Sequence, residues 1–373
     1  MNMKKYMILA AVALVASAAC TKVENDENAI PDHKIAFEVA SFSSQTKAAG
    51  DAATSLNSEG YTSFNTYANY FPEVGDVQSY MNNVQVNYNS STPAWAPARD
   101  YYWPKSGYLN FYSVAGSKSP AVTFNDSKTV ATAAYTDVEI AYNDNFLVAD
   151  AALIQKANSS TYNSISGVTG VPTLFRHQLA RIKFTVKLAT DDAHKSASHK
   201  FKVTILNAST NLSNLVVEKK GSLTLTNTVD ATASAHTLGW TSANVWTPSA
   251  TPVRETIDML TPEMTLPVNT KEIEAVSLLN ERTVMPQDLA AINVFKLSYR
   301  VEAYYGEATT PDFTEIFNYE APIKDVAGIT SWQKNQKITY NIIIDPVGEK
   351  ILFDPAVEAW DESQTANITY PRN

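Results

Sequence analysis

The chain has 373 residues and a net charge of −9, with 45% hydrophobic residues, 18% charged residues and one cysteine. The hydrophobic share is enough for a sizeable core and excludes wholesale disorder, while the acidic balance repels phosphate backbones and argues against a nucleic-acid partner. A lone cysteine excludes a disulfide framework, and a prior of about 150 residues per domain makes two domains the expectation.

Residues 1–19 read as a lipoprotein signal peptide. Lys4 and Lys5 precede an apolar run from Met7 to Val15, and Ser17-Ala18-Ala19 lead into Cys20. The run is short of the about 20 residues a membrane-spanning helix needs, and small residues before a cysteine suit a signal peptidase. The arrangement resembles a bacterial lipobox, whose thiol takes a diacylglyceryl group before cleavage. Cys20 is expected to be the lipidated N-terminus, held by acyl chains at ~0.8 kcal/mol per buried methylene. A buried structural cysteine is the competing reading, and the polar stretch that follows disfavours it. Residues 20–33 form an acidic linker with Glu24, Asp26 and Glu27. The acids resemble a surface-export tag, which implies a surface-exposed place on the outer membrane.

The first strand follows. Ile35, Phe37 and Val39 alternate with Ala36 and Glu38, a period of two with one buried face. It ends in Ser43-Ser44-Gln45-Thr46-Lys47-Ala48-Ala49-Gly50, a polar stretch open to a protease. Short apolar runs split by prolines and glycines continue to Gly116. Asn145 to Ala157 is the best candidate for a short helix, and Asn158 to Thr173 reads as a linker. Beyond it Ile182, Phe184, Val186 and Leu188 form one face of a strand. So do Phe201, Val203 and Ile205, then Phe295, Leu297, Tyr299 and Val301, and finally Ile338, Tyr340, Ile342 and Ile344. Half-buried strands of this kind, with little helix, predict an all-β chain of β-sandwiches. The division expected is 34–175 for an N-terminal sandwich and 176–373 for a C-terminal one.

Catalytic patterns are missing. No histidine pair has metalloprotease spacing, and neither a G-x-S-x-G elbow nor a phosphate-binding glycine loop occurs. His194 and His199 share a polar loop that reads as a solvated hairpin before it reads as a metal site. His177, just before the strongest strand, reads as a hydrogen-bonded structural histidine. Asp191-Asp192 and Asp361-Glu362 are adjacent carboxylates, which suit charged turns better than the cleft-spanning pair of a glycosidase. The expectation is a non-enzyme with no cofactor and no metal.

Several pieces, in order, carry a family resemblance: the lipobox at Cys20, Ile35-Ala36-Phe37-Glu38-Val39, Thr46-Lys47-Ala48, Tyr102-Trp103-Pro104 with Leu109-Asn110-Phe111-Tyr112, Phe146-Leu147-Val148-Ala149, Phe175 to Ile182, Val284-Met285-Pro286-Gln287 and Trp332 to Ile344. The chain resembles the fimbrillin-like family of Bacteroidales pilins and related surface lipoproteins. The resemblance implies two tandem transthyretin-like β-sandwich domains. It also implies assembly by strand exchange: an Arg- or Lys-specific protease removes the first strand, and a strand from another pilin subunit fills the groove. On that basis Lys47 marks the cleavage point and Ile35, Phe37 and Val39 lie on the strand that leaves. The donor would be the C-terminal segment with Ile351, Phe353, Val357, Trp360 and Ile368, which reads equally as the last strand of the second sandwich.

The expected function is a structural or accessory subunit of a surface fimbria, exported as a lipoprotein. The alternative is a lipid-anchored surface protein that binds a glycan or host protein without polymerising, through loop aromatics such as Trp95, Trp240 and Trp246. Burial of those residues would count against it.

Overall fold

The computed structural model describes residues 29–39, 56 and 60–359, apart from 117–120, 157–169, 190–198, 217–219, 229–244, 249–253, 260–262, 267–274, 346–349 and isolated positions or pairs elsewhere. Cys20, Lys47, Asp191-Asp192, His194, Trp240, Trp360, Asp361-Glu362 and Ile368 lie outside the described residues.

Strand dominates throughout. In chain order come β1 (Ala29–Lys34), β2 (Phe37–Val39), β3 (Ser63–Phe71), β4 (Gln78–Asn89), β5 (Ala94–Pro97), β6 (Tyr102–Pro104), β7 (Tyr108–Gly116), β8 (Ala121–Asp126), β9 (Val130–Glu139), β10 (Phe146–Ala149), β11 (Ala152–Gln155), β12 (Val171–Thr173) and β13 (Phe175–His177). The second half holds β14 (Ala180–Leu188), β15 (His199–Ile205), β16 (Asn211–Val216), β17 (Lys220–Thr228), β18 (Val245–Pro248), β19 (Arg254–Asp258), β20 (Met264–Thr265), β21 (Val276–Val284), β22 (Gln287–Asp288), β23 (Val294–Tyr305), β24 (Phe313–Pro322), β25 (Ser331–Trp332), β26 (Gln336–Asp345) and β27 (Lys350–Ala359). Among the described residues the only α-helix is one turn, α1 (Ile323–Val326).

A nine-stranded sheet runs β12-β2-β5-β4-β3-β7-β10-β13, with β11 added on β7. Phe37 on β2 and Phe111 on β7 are four strands apart in that order, about 19 Å across a flat sheet. Their ring centroids are nevertheless 5.7 Å apart. The sheet therefore curls back on itself and encloses a core drawn from residues 35–175, including Ile35, Phe37, Phe64, Trp95, Phe111 and Phe175. Alternation places these side chains. On β3, Phe64, Thr66, Ala68 and Tyr70 are buried while Asn65, Tyr67 and Asn69 are only partly so.

The second half is a β-sandwich. One sheet runs β21-β14-β26-β27, and the other runs β19-β16-β23-β15-β20 with β24 paired to β23. Between them lie Ile182, Phe184 and Val186 of β14, Ile338, Tyr340 and Ile342 of β26, and Phe295, Leu297 and Tyr299 of β23. Phe184 stacks on Tyr340 at 4.5 Å and on Phe295 at 5.8 Å. These are the alternating faces read from the sequence.

A third sheet joins the two halves, in the order β18-β17-β9-β8. β9 and β17 pair antiparallel from Val130↔Thr228 to Glu139↔Lys220. Behind them Leu223, Leu225, Leu179 and Met285 of the second half pack with Val114, Tyr135, Phe146 and Val148 of the first.

Three expectations need correction. Of the stretch Asn145 to Ala157, the described residues 145–156 hold no helix; they form β10 and β11. Leu147 and Ala149 face the first core while Phe146 and Val148 face the shared sheet. A strand buried on both faces shows a continuous apolar run, which periodicity does not separate from a buried helix. The expected linker ends in strand, since residues 171–173 are β12. The leading strand is broken at Ile35-Ala36: β1 pairs with β6, whereas β2 belongs to the curled sheet.

Candidate functional site at the leading strand

β2 lies between two neighbours. It pairs parallel with β12 at Phe37↔Val171, Glu38↔Pro172 and Val39↔Thr173, and antiparallel with β5 at the single position Phe37↔Trp95. Two further backbone bonds hold the approach: the Ile35 N–H donates to the Tyr101 carbonyl at 2.7 Å, and the Val171 N–H donates to the Ala36 carbonyl at 2.8 Å. The Lys34–Asp100 ion pair, 2.7 Å long, has both side chains more than half exposed and adds little.

Burial does more than hydrogen bonding here. Ile35 is 2% exposed and Phe37 4%. The Phe37 ring meets Phe64 edge-on at 5.5 Å and Phe111 edge-on at 5.7 Å. Phe64 in turn touches Phe175 at 5.2 Å and Trp95 at 5.4 Å, so the seat is an aromatic cage. Val39 is partly buried against the same core. Sealing Ile35 and Phe37 from water is worth roughly 3–6 kcal/mol. A segment with few ladder bonds and two buried anchors is a plug. Take it away, and apolar walls and unpaired β5 and β12 edges face water.

After the segment 40–55, Leu56 is fully buried in the same core, and Tyr61 donates its N–H to the Leu56 carbonyl at 2.9 Å. Between Val39 and Leu56 the only basic residue is Lys47. A trypsin-class cut between Val39 and Leu56 can therefore fall at one place only.

Of the other residues singled out, His177 is buried with Nδ1 2.8 Å from the Asn145 side-chain oxygen, a structural position. His199 opens β15 opposite Tyr305. Among the described residues no group of three histidines, cysteines or carboxylates gathers in a metal-binding arrangement. Trp95 is 5% exposed inside the first core. Trp246 on β18 packs edge-on against Phe146 at 6.0 Å and donates to the Gln178 carbonyl at 2.9 Å. Neither is a loop aromatic presented for a glycan. Ile351 packs against the second core, Phe353 stands opposite Ile342, and Val357 stands opposite Ile338 and is exposed. The C-terminal segment to Ala359 is thus the last strand of the second sandwich here, β27 on β26.

A polar cluster sits on the other face of β7. The Tyr112 hydroxyl donates to the Asp126 carboxylate at 2.7 Å and Asn69 Nδ2 donates to it at 2.9 Å. Burial pushes the Asp126 carboxyl above the usual range, against the hydrogen bonds that lower it. Burial and the neighbouring Asp126 charge push the Tyr112 hydroxyl well up, so it stays a donor at neutral pH. The cluster fastens β8, and with it the shared sheet, to β3 and β7.

The buried face of Ile35, Phe37 and Val39 is legible in the sequence as a period of two; the seat it fills is not. Phe64, Trp95, Phe111 and Phe175 come from four separate strands, and only folding brings them together. Gly170 was hidden in a Ser/Gly/Thr-rich stretch.

No curated protein matches the chain. A family model described as fimbrillin-like matches residues 46–360. A crystal structure of a fimbrial protein from Bacteroides vulgatus is 16% identical, covers 88% of this chain and 100% of its own, and superposes with a TM-score of 0.52, a shared fold. A proposed cell-adhesion protein from Bacteroides uniformis is 13% identical over 89% of this chain and 99% of its own, with a TM-score of 0.40. A fimbrial anchor protein from Porphyromonas gingivalis is 10% identical over 88% and 98%, with a TM-score of 0.27.

Proposed function

The chain belongs to the fimbrillin-like family, and from that premise we propose that it is a subunit of a cell-surface fimbria whose leading strand keeps a groove closed until a neighbouring subunit fills it. Family membership makes it a fimbrial or adhesion-related protein. The finer reading rests chiefly on one observation: Ile35 and Phe37 are deeply buried although β2 makes three parallel pairs and one antiparallel pair.

The chain is exported as a lipoprotein, acylated at Cys20 and carried to the outer membrane. Cleavage after Lys47 frees the segment that bears Ile35, Phe37 and Val39. The emptied groove is then repaired by strand addition, which restores both the ladder and the apolar contact. Repeated head to tail, that step gives an open filament rather than a closed dimer. The donor is the C-terminal segment of another subunit, with Ile351, Phe353, Val357, Trp360 and Ile368, released from its place on β26. The role is structural and non-enzymatic. The two halves, 34–175 and 176–373, are two tandem sandwiches, each with its own principal core and tied by the shared sheet.

The test is cleavage of the mature chain by a lysine-specific protease, followed by size-exclusion chromatography and electron microscopy. Filaments or a ladder of oligomers are expected. Cleaved protein that loses its leading fragment and stays monomeric at high concentration contradicts the proposal.

A further inference from the structure

Gly170 lies directly against the backbone of the leading strand. A Cβ built there would meet the Ala36 carbonyl oxygen at 2.6 Å, the Ala36 carbonyl carbon at 2.8 Å and the Phe37 carbonyl carbon at 2.9 Å. All three nearest atoms belong to the plug's backbone, and Gly170 is not among the positive-φ glycines. Its own backbone therefore suits any L-residue, and glycine is required only because of what sits in the groove.

The second half supplies an internal comparison. β14 also runs between a parallel neighbour, β26, and an antiparallel one, β21, and carries Ile182-Lys183-Phe184-Thr185-Val186 where β2 is approached through Ile35-Ala36-Phe37-Glu38-Val39. Phe37 pairs with Val171 as Phe184 pairs with Tyr340. One residue earlier, Gly170 beside Ala36 corresponds to Thr339 opposite Lys183. A permanently built strand accepts threonine at this place; the leading strand has glycine.

We propose that Gly170 is the residue that admits a strand to this groove, and that what it admits is a strand with Ile-x-Phe at the Ile35 and Phe37 seats, running parallel to β12. This rests on the strand-exchange reading for its partner, although the role at the plug itself does not. Ile-x-Phe occurs three times in the chain, at 35–37, 182–184 and 351–353. The second is paired on both sides by β21 and β26. The third lies on β27, whose described pairing is to β26 on one side. A neighbour's β27 would set Ile351 and Phe353 where Ile35 and Phe37 sit.

Two measurements decide this. In the uncleaved mature chain, Gly170→Ala should speed amide exchange at residues 35–39 by about ten- to hundredfold, leaving residues 182–188 unchanged. Unchanged exchange at 35–39 overturns the role of Gly170, whatever happens in assembly; slow exchange at 182–188 shows that the variant is folded. In chain cleaved after Lys47 and stripped of its leading fragment, synthetic peptides spanning Lys34–Ala40 and Lys350–Val357 should bind, and Gly170→Ala should weaken both about ten- to hundredfold. Equal binding by the variant overturns the proposal and leaves strand exchange standing. No binding by the cleaved wild type defeats strand exchange and the named partner, and the exchange measurement still judges Gly170 at the plug.

Discussion

Phe37 and Phe184 hold equivalent places in the two halves of this chain. Each has a parallel partner on one side, Val171 or Tyr340, and an antiparallel one on the other, Trp95 or Leu279. What differs is the length of the ladder. β14 pairs with β26 without a break from Arg181↔Lys337 to Leu188↔Ile344, whereas β2 runs only from Phe37 to Val39. Both rings are buried, so contact energy is similar while hydrogen bonding is not. On the strand-exchange proposal, this asymmetry is what would let the leading strand leave while β14 stays.

Phe37→Ala should therefore loosen the plug and little else. Removing a buried phenylalanine costs about 3–5 kcal/mol. In uncleaved chain, hydrogen exchange should rise across 35–39 and the adjoining β12, with Phe184 and Tyr340 still protected. In cleaved chain stripped of the leading fragment, the substitution has gone with the fragment. Unfolding of the second half in the Phe37→Ala chain would contradict this.

Lys47→Gln should abolish processing by a lysine-specific protease between Val39 and Leu56. Mass spectrometry of the digested mature chain is expected to give a new N-terminus at Ala48 in the wild type and none in that interval in the variant. Cutting of the variant between Val39 and Leu56 would show that another residue directs the protease.

The shared sheet makes a prediction about the halves. Leu223 and Leu225 reach from the second half to pack beside Tyr135, Phe146 and Val148. Leu223→Ala should cost about 2–5 kcal/mol. The loss should appear as faster exchange in β7, β9 and β10 of the first half, although the substituted residue belongs to the second. Loss of protection confined to residues beyond 179 would refute the coupling.

Acid titration tests the cluster on β7. Burial raises the folded-state Asp126 pKa above its unfolded value, so the folded form holds the proton more tightly. The contribution of Asp126 to stability is thus fully present below the unfolded pKa, near 4, and is lost as pH rises through the folded value. Relative to Asp126→Asn, the wild type should lose stability between pH 4 and the folded pKa and run parallel to the variant above it. Urea unfolding across that range measures the difference. A wild type that gains on the variant as pH rises would reverse the sign and rule this out.

Much of this architecture is legible in the sequence wherever one face of a strand meets a core and the other meets solvent. Ile182 to Leu188, Phe295 to Val301 and Ile338 to Ile344 declare themselves by a period of two, and so does Ile35 to Val39. Legibility fails when both faces are covered, as at Phe146 to Ala149, because alternation then disappears. It fails again for pairing between distant segments: nothing in Val130 to Glu139 points to Lys220 to Thr228. Gly170 escaped notice for a related reason. Its need for a bare backbone comes from Ala36, far away in sequence, while its immediate neighbours read as linker.

The most direct test is the N-terminus of the protein within filaments recovered from the cell surface, read by mass spectrometry. Subunits beginning at Ala48, with no trace of the peptide that carries Ile35 and Phe37, are expected. Filaments whose subunits all still hold that peptide in the aromatic cage would mean that the leading strand is a permanent part of the fold and that subunits join by some other surface.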